Sequence, residues 1–252
     1  MKHFLIFFLL LYTHICGESE TDIIECLNIK DLDSVIDKDT LVLLDIDNTI
    51  LHAKGNLGKV EWQDWLILRY QDWGLNKEDS YNIATDQWNR SQEHIEVVLV
   101  EKALSKLFSK WQTEATLLCL TARDPALSKV TENQLLTIGL TPKNHPFDIQ
   151  HLLLSEHTLF QNGVIYCGSR SKGEAIQEFL THVAYKAKRV VFADDRQHNV
   201  ESVAKIMKEQ QIPYTGFHYK YCQENCSEEF NALEATLDWA RRMKEVRTSS
   251  GA

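Results

Sequence analysis

The sequence lacks an excess of basic residues. It carries 27 Lys and Arg against 36 Asp and Glu in 252 residues, which gives a formal net charge of −9. Binding to the phosphate backbone of a nucleic acid depends on clustered Lys and Arg. The composition therefore predicts a solvated acidic surface and no nucleic-acid partner.

The sequence also lacks an apolar run long enough to span a bilayer. Its amino-terminal run, from Phe4 to Tyr12, is much shorter than the roughly 20 residues that a transmembrane helix needs. Lys2 precedes this run, and the small residues Gly17 and Ser19 follow it, which is typical of a secretory signal peptide. We predict a signal peptide over residues 1–19, export to the periplasm or secretion, and no stable membrane span after cleavage. A buried amino-terminal helix is the alternative interpretation.

Five cysteines remain after residue 19, and an exported protein meets a compartment that permits disulfides. Because five is odd, at least one of them stays unpaired. Cys222 and Cys226 are close enough in the sequence to bridge locally, while no neighbouring histidine or second cysteine pair indicates a zinc site. Cys119 stands in an apolar strand pattern and is predicted to be a buried thiol.

Three short apolar runs, Leu41 to Leu44, Thr116 to Leu120 and Val190 to Ala193, are separated by helical patterns. This alternation is typical of a parallel sheet covered by helices. We predict an α/β fold with a Rossmann-like, doubly wound parallel sheet. Apolar residues at helical spacing predict helices that cover the sheet: Ile176, Phe179, Leu180 and Val183; Val200, Val203 and Met207; and Phe230, Leu233, Leu237 and Ala240.

A segment between the first two strands, residues 52–114, carries further helical spacing. We predict that it is a helical cap inserted after the first strand, with the core formed by residues 20–51 and 115–252. Five tryptophans of this segment could form an aromatic lid, although packing inside the cap is the favoured interpretation for most of them; they are Trp62, Trp65, Trp73, Trp88 and Trp111.

Asn162 and Gly163 stand between two β-prone segments, Thr158 to Phe160 and Val164 to Cys167. An Asn-Gly pair in this setting predicts a β-hairpin with a tight turn.

Polar residues follow each predicted strand. In an open parallel sheet the ligand site lies beyond the carboxyl ends of the strands, so these residues should meet at one edge. Four segments are involved: Asp45-Ile46-Asp47-Asn48-Thr49, Thr121-Ala122-Arg123-Asp124, Lys172-Gly173 and Asp194-Asp195.

In this order, the four segments resemble the signature motifs of the haloacid dehalogenase superfamily, and the resemblance covers nearly all of the chain after residue 19. Asp194, Asp195 and Asn199 match a variant of the last motif. The amino-terminal segment, the LGKVEWQDW stretch and the hairpin before Lys172 are similar to a group of secreted bacterial members of uncertain function. The resemblance implies a Mg²⁺-dependent phosphatase that acts on phosphate monoesters.

The resemblance also implies roles for individual residues. Asp45 would be the nucleophile that forms an aspartyl-phosphate, and Asp47 the general acid and base. Thr121 and Lys172 would bind the phosphoryl oxygens. Four further residues are predicted to have supporting roles, with turn formation and capping as the alternative for most of them: Asn48, Thr49, Asp195 and Asn199. Arg123, Arg170 and His198 stand next to motif residues and could contact the substrate, but the favoured interpretation is that they are solvated or salt-bridged neighbours without a catalytic role.

Charge predicts the cofactor. Up to four aspartates would face a phosphate dianion together with one positive charge, that of Lys172, so the site needs a hard divalent cation with oxygen ligands. By resemblance, the Mg²⁺ ligands are Asp45, the backbone carbonyl of Asp47, and Asp194, with Asp195 close by.

The expected substrate is a small or medium-sized phosphorylated molecule, and a protein or host substrate stays open. One alternative is a phosphotransferase or phosphomutase of the same superfamily, which uses the same residues with a different acceptor. Another is a catalytically silent secreted protein that binds a partner. The complete motif set favours the enzyme.

Overall fold

The computed structural model describes residues 21–143, 145–155, 157–226 and 230–249, so the predicted signal peptide over residues 1–19 lies outside the described residues. The strands are β1 (Thr21–Cys26), β2 (Thr40–Leu44), β3 (Leu51–Ala53), β4 (Val97–Leu99), β5 (Thr116–Thr121), β6 (His151–Ser155), β7 (Thr158–Gln161), β8 (Val164–Tyr166), β9 (Arg189–Asp194) and β10 (Tyr214–Tyr219). The α-helices are α1 (Val60–Asp72), α2 (Lys77–Ser91), α3 (Leu104–Glu114), α4 (Ser128–Thr137), α5 (Lys172–His182), α6 (Gln197–Glu209), α7 (Tyr221–Asn225) and α8 (Ala232–Ser249). Short 3₁₀ helices cover Ile29–Val35, Gln92–His94 and Pro125–Leu127.

Eight strands form one sheet in the order β1-β10-β9-β2-β5-β8-β7-β6. All neighbours from β1 to β8 in this order are parallel, and β7 runs antiparallel to both β8 and β6. All residues of β2 are buried, with Val42 and Leu44 in one apolar cluster and Leu41 and Leu43 in the other. A strand covered on both faces needs apolar residues at every position, which is why its sequence is an unbroken run. The predicted α/β fold is confirmed.

Helices cover both faces of the sheet. Leu104, Phe108 and Trp111 of α3 are buried in the cluster on one face, and α5 and α6 contribute the predicted apolar residues to the other. Gly173 allows α5 and α6 to pack closely, because a Cβ atom there would lie 2.2 Å from the carbonyl oxygen of Ser202. This close contact holds the amino-terminal end of α5 at the edge where the motifs meet.

The predicted hairpin joins β7 and β8. Asn162 and Gly163 have φ angles of 49° and 80°, and positive values at both central residues are typical of a type I′ turn. The prediction is confirmed, and the hairpin extends the sheet beyond β8.

Three helices form a separate layer, which we call the three-helix cap: α1, α2 and α8. The antiparallel pair β3 and β4 connects α1 and α2 to the core. Helix α8 packs on α1, with Ala235 fully buried, and Nε1 of Trp62 donates a hydrogen bond of 3.3 Å to Oγ1 of Thr236. The ring centroids of Trp62 and Trp239 lie 6.0 Å apart.

The composition of this layer differs from the predicted cap over residues 52–114. Helix α3 lies within those boundaries but packs on the sheet, whereas α8 lies far outside them and packs on α1. Leu233 and Leu237 of α8, which were predicted to cover the sheet, are 67% and 47% exposed. Helical spacing indicates that a helix has an apolar face but does not identify the surface that it meets. Within the described part of the chain, no helix is both long and apolar enough to cross a membrane.

Candidate active site

The four motif segments meet at the carboxyl edge of the sheet, as predicted. Asp45 follows β2, Thr121 ends β5, Asp194 ends β9, and Lys172 begins α5. Nζ of Lys172 donates hydrogen bonds to Oδ1 of Asp45 and, at 2.6 Å, to Oδ2 of Asp194. Lys172 is only 1% exposed, so this ion-paired group lies inside the protein. The structure therefore joins residues that are up to 149 positions apart in the sequence.

Three buried carboxylates form an acidic cluster here. Asp45, Asp194 and Asp195 each place one carboxylate oxygen within 4.8 Å of the others, and none is more than 5% exposed. Their combined charge exceeds that of Lys172, the ammonium group that is hydrogen-bonded to the cluster. A divalent cation with oxygen ligands matches this donor set, so the residues fit Mg²⁺. The predicted contribution of the Asp47 carbonyl stays a prediction.

Burial changes the proton affinities of the cluster. It raises the pKa of Asp45, against the opposing charge of Lys172 and with the support of Asp194. Burial and the charge of Asp194 raise the pKa of Asp195 to about 7. Burial alone would lower the pKa of Lys172, but Asp194 and Asp45 outweigh it and the pKa is raised. Lys172 is therefore protonated at neutral pH, while Asp195 binds a proton far more readily than an exposed aspartate.

These shifts predict how stability depends on pH. An unfolded Asp titrates near ~3.9, whereas Asp195 in the folded protein titrates at about 7. Over this interval the folded state binds more protons, so the stability that they supply is lost as the pH rises towards 7. We expect the melting temperature of the metal-free protein to fall between pH 5 and pH 8, and Mg²⁺ to raise it more at pH 8. Thermal unfolding followed by circular dichroism, with EDTA or with Mg²⁺, measures both effects.

Asp195→Asn is the matched variant, because it removes the titrating group and keeps the shape of the side chain. It should weaken the pH dependence of the metal-free protein. An equal Mg²⁺ shift at both pH values, in both wild type and variant, would contradict the assignment of the cluster as the cation site.

Asp47 is held by an arginine. Nε and Nη2 of Arg123 donate to the two carboxylate oxygens of Asp47, each at 2.8 Å. Arg123 is 3% exposed, and its Nη1 donates to Oγ1 of Thr131 at 3.0 Å and to Oε1 of Gln134 at 2.7 Å. The guanidinium is thus fixed by α4 and sets the orientation of Asp47. The sequence predicts Arg123 only as a salt-bridged or solvated neighbour; the ion pair is present, and the structure adds the burial of the side chain and its two-point contact.

The predicted supporting residues contact the motif residues in different ways. Nδ2 of Asn199 donates to Oδ1 of Asp194 at 3.1 Å, and the backbone N of Arg196 donates to the same oxygen at 2.8 Å. These two contacts orient Asp194. Asn48 has a φ of 59° and forms the turn after Asp47. Oγ1 of Thr49 is buried without a hydrogen-bond partner among the described residues.

A cleft of about 400 Å³ separates the motif residues from the three-helix cap. Arg196 and Asp64 span it with an ion pair of 2.7 Å between Nη2 and Oδ2. The residues of α1 and α2 that line the cleft are Val60, Gln63, Asp64, Ile67, Tyr81, Asn82, Thr85, Trp88 and Asn89. The cleft is therefore bounded by the motif residues on one side and by the mixed polar and aromatic surface of α1 and α2 on the other. A larger concavity, of about 620 Å³, contains none of the motif residues, so size alone does not identify the site.

The tryptophans have mainly packing roles, as the favoured interpretation had it. Trp62 and Trp88 are buried in the three-helix cap, and Trp111 is buried against the sheet. Trp73 is 70% exposed. Trp88 also lines the cleft, and the guanidinium carbon of Arg123 lies 5.5 Å from its ring centroid.

Known proteins are similar to this sequence over most of its length. A model of the family described as "Protein of unknown function (DUF2608)" matches residues 25–249. A protein of Chlamydia trachomatis, named "Putative outer membrane protein", is 24% identical and covers 87% of this chain and 84% of its own length. A protein of Rickettsia prowazekii, described as uncharacterized, is 24% identical over 78% of this chain and 75% of its own. The predicted similarity to bacterial proteins of uncertain function is confirmed.

Solved structures of similar shape include a haloacid dehalogenase-like family hydrolase from Streptococcus pneumoniae. It is 10% identical, covers 73% of this chain and 94% of its own, and gives a TM-score of 0.45. The haloacid dehalogenase domain of an effector protein from Legionella pneumophila is 12% identical, covers 84% of this chain and 94% of its own, and gives a TM-score of 0.39.

Proposed function

The chain belongs to the family of proteins of unknown function DUF2608, and we propose that it is a Mg²⁺-dependent phosphomonoester hydrolase that works through an aspartyl-phosphate on Asp45. The observation that carries this proposal is the grouping of Asp45, Lys172 and Asp194 beside a cleft that Asp45, Asp47 and Lys172 line. This grouping combines a nucleophile, a fixed positive charge, a cation site and a second carboxylate for proton transfer.

The first step is a displacement at phosphorus. An oxygen of the Asp45 carboxylate attacks the phosphorus atom, and the bond from phosphorus to the substrate's ester oxygen breaks. Asp47 gives its proton to that oxygen, so an alcohol leaves. Lys172 counters the negative charge of the phosphoryl oxygens, and a Mg²⁺ ion held by Asp45, Asp194 and Asp195 would supply further positive charge there.

The second step regenerates the enzyme. Asp47 takes a proton from a water molecule, whose oxygen attacks the same phosphorus atom, and the bond between phosphorus and Asp45 breaks. Inorganic phosphate leaves with the water oxygen. Each carboxylate oxygen has two lone pairs, so the two hydrogen bonds from Arg123 leave Asp47 able to accept that proton. Arg123 acts here as a positioning residue.

The substrate enters between the motif residues and the three-helix cap. A cleft of about 400 Å³ suits a small or medium-sized phosphate ester, and side chains of α1 and α2 would contact its leaving group. Closure of this layer would exclude water during the first step.

We place the enzyme outside the cytoplasm, in the periplasm or secreted. The apolar run near the amino terminus supports this location, and so do the names of the chlamydial relatives, which refer to the outer membrane.

The test is hydrolysis of an aryl phosphate and an alkyl phosphate by the purified protein, with Mg²⁺ and after chelation. We expect turnover with Mg²⁺, loss of turnover with EDTA, and recovery when Mg²⁺ is restored. Asp47→Asn should slow the alkyl phosphate by roughly 10²- to 10⁴-fold, because an alkoxide needs its proton. The aryl phosphate should lose less, since a phenolate leaves more readily.

Activity that survives exhaustive chelation would refute the metal-dependent mechanism. Equal losses for the two substrates in Asp47→Asn would refute its role as the acid. If an added alcohol captures the phosphoryl group in place of water, the enzyme is a phosphotransferase that uses the same residues.

A further inference from the structure

A second group of metal-binding side chains lies outside the proposed active site. It consists of His52 on β3, Cys222 in α7, and Cys226 directly after α7. One ligand atom of each lies within 4.8 Å of the other two. The imidazole comes from a distant part of the sequence, since His52 lies 170 positions before Cys222.

The chemistry of this group differs from that of the aspartate cluster. Two sulfurs and an imidazole are soft or borderline donors, which suit Zn²⁺ and related transition metals rather than Mg²⁺. Cys222 and Cys226 are four residues apart, a spacing that places two side chains on the same side of a helix. The two sulfurs therefore face one point, to which β3 brings the imidazole.

The histidine ring is already oriented for such a role. Nδ1 of His52 lies 3.0 Å from the carbonyl oxygen of Ala53. A carbonyl oxygen can only accept, so Nδ1 carries the proton and Nε2 keeps its lone pair. Histidines that bind metals usually donate their other N–H to a carbonyl or carboxylate in this manner.

We propose that His52, Cys222 and Cys226 bind a zinc-type metal ion, with water at the fourth tetrahedral position. This site is separate from the aspartate cluster but contacts the turn that follows Asp47, because Sγ of Cys222 lies 3.5 Å from Oδ1 of Asn48. The metal ion would join β3 to α7 and the residue that follows it, two segments that are distant in the sequence.

Cobalt substitution tests the site directly. The reduced, metal-free protein is titrated with Co²⁺ in excess Mg²⁺, which occupies the aspartate cluster, and the absorption spectrum is recorded. We expect one tightly bound Co²⁺ per chain with a thiolate-to-cobalt charge-transfer band, and displacement of this Co²⁺ by Zn²⁺.

Cys222→Ser and Cys226→Ser should each lose or strongly weaken the band. Cys26→Ser is the matched control: Cys26 is also buried, but its sulfur contacts oxygens, the carbonyl of Asn28 at 3.0 Å and Oδ2 of Asp31 at 3.6 Å. Circular dichroism confirms that each variant is folded, and His52→Ala provides a further variant that leaves both cysteines in place.

Two results would overturn the proposal. One is a wild-type protein that binds Co²⁺ without a thiolate band, or whose band survives in both cysteine variants. The other is a Cys222–Cys226 disulfide in the exported protein, identified by mass spectrometry without reduction, since oxidised sulfurs cannot be metal ligands. The structure has free thiols at both positions. Neither result would bear on the hydrolase, which uses other residues.

Discussion

Asp45→Asn should remove the metal-dependent hydrolysis and leave the fold intact. We expect a loss in kcat of roughly 10⁴- to 10⁶-fold, the range seen when other hydrolases lose a catalytic residue. The amide of asparagine has nearly the shape of the carboxylate but is a very poor nucleophile. Steady-state kinetics with an aryl phosphate measures the loss.

The same variant separates the nucleophile from a merely structural aspartate. After rapid acid quenching, mass spectrometry of wild type should find one added phosphoryl group on Asp45 and none on the variant. Lys172 keeps its 2.6 Å hydrogen bond to Asp194 in the variant. Since burial raises the pKa of Asp45, a neutral residue there avoids the cost of a buried charge, so the metal-free variant should melt no lower than wild type. Wild-type rates in a folded variant would remove Asp45 from the mechanism.

Lys172→Met should affect stability as well as activity. The ammonium of Lys172 is buried between Asp45 and Asp194, and methionine keeps the length of the side chain without its charge. Removing one partner from a buried ion pair typically costs about 3–5 kcal/mol, because the other charge is left without compensation. We expect a loss of this size in the free energy of unfolding at pH 8 without metal, measured by urea denaturation.

The loss should be smaller at pH 5, where buried carboxyls such as Asp45 and Asp195, whose pKa values burial raises, bind protons instead. Lys188→Met is the control, because Lys188 forms an exposed ion pair with Asp39 and its loss should leave stability unchanged. A small, pH-independent effect of Lys172→Met would show that the buried ion pair contributes little.

The grouping of Asp45, Thr121 and Asp194 was predictable because these residues stand at strand ends. Each of these strands is recognisable in the sequence as an apolar run, and a parallel sheet brings the carboxyl ends of its strands to one edge. Asp45, Thr121 and Asp194 therefore needed only the positions of three strands. The Asn-Gly turn was equally local, since two positive φ angles suit few other residue pairs.

The features that escaped prediction depend on contacts between distant segments. Arg123 is an ordinary arginine in the sequence, and only the packing of α4 shows that Thr131 and Gln134 fix it against Asp47. His52 on β3 lies near Cys222 in α7 although the two residues are 170 positions apart, which no local spacing reveals. The position of α8 was misjudged for the same reason: its periodicity is compatible with any apolar surface.

Helix α8 gives the three-helix cap an unusual mechanical connection to the core. The chain passes between the core and the three-helix cap at three places. Two of them lie at β3 and β4, and the third lies between α7 and α8. The hydrogen bond between Trp62 and Thr236 holds α8 against α1. A layer joined to the core at two adjacent points can rotate about a hinge, whereas a third connection limits that rotation. The cleft should therefore open by a short displacement, and a rigid body fused behind Ser249 would slow substrate entry and product release.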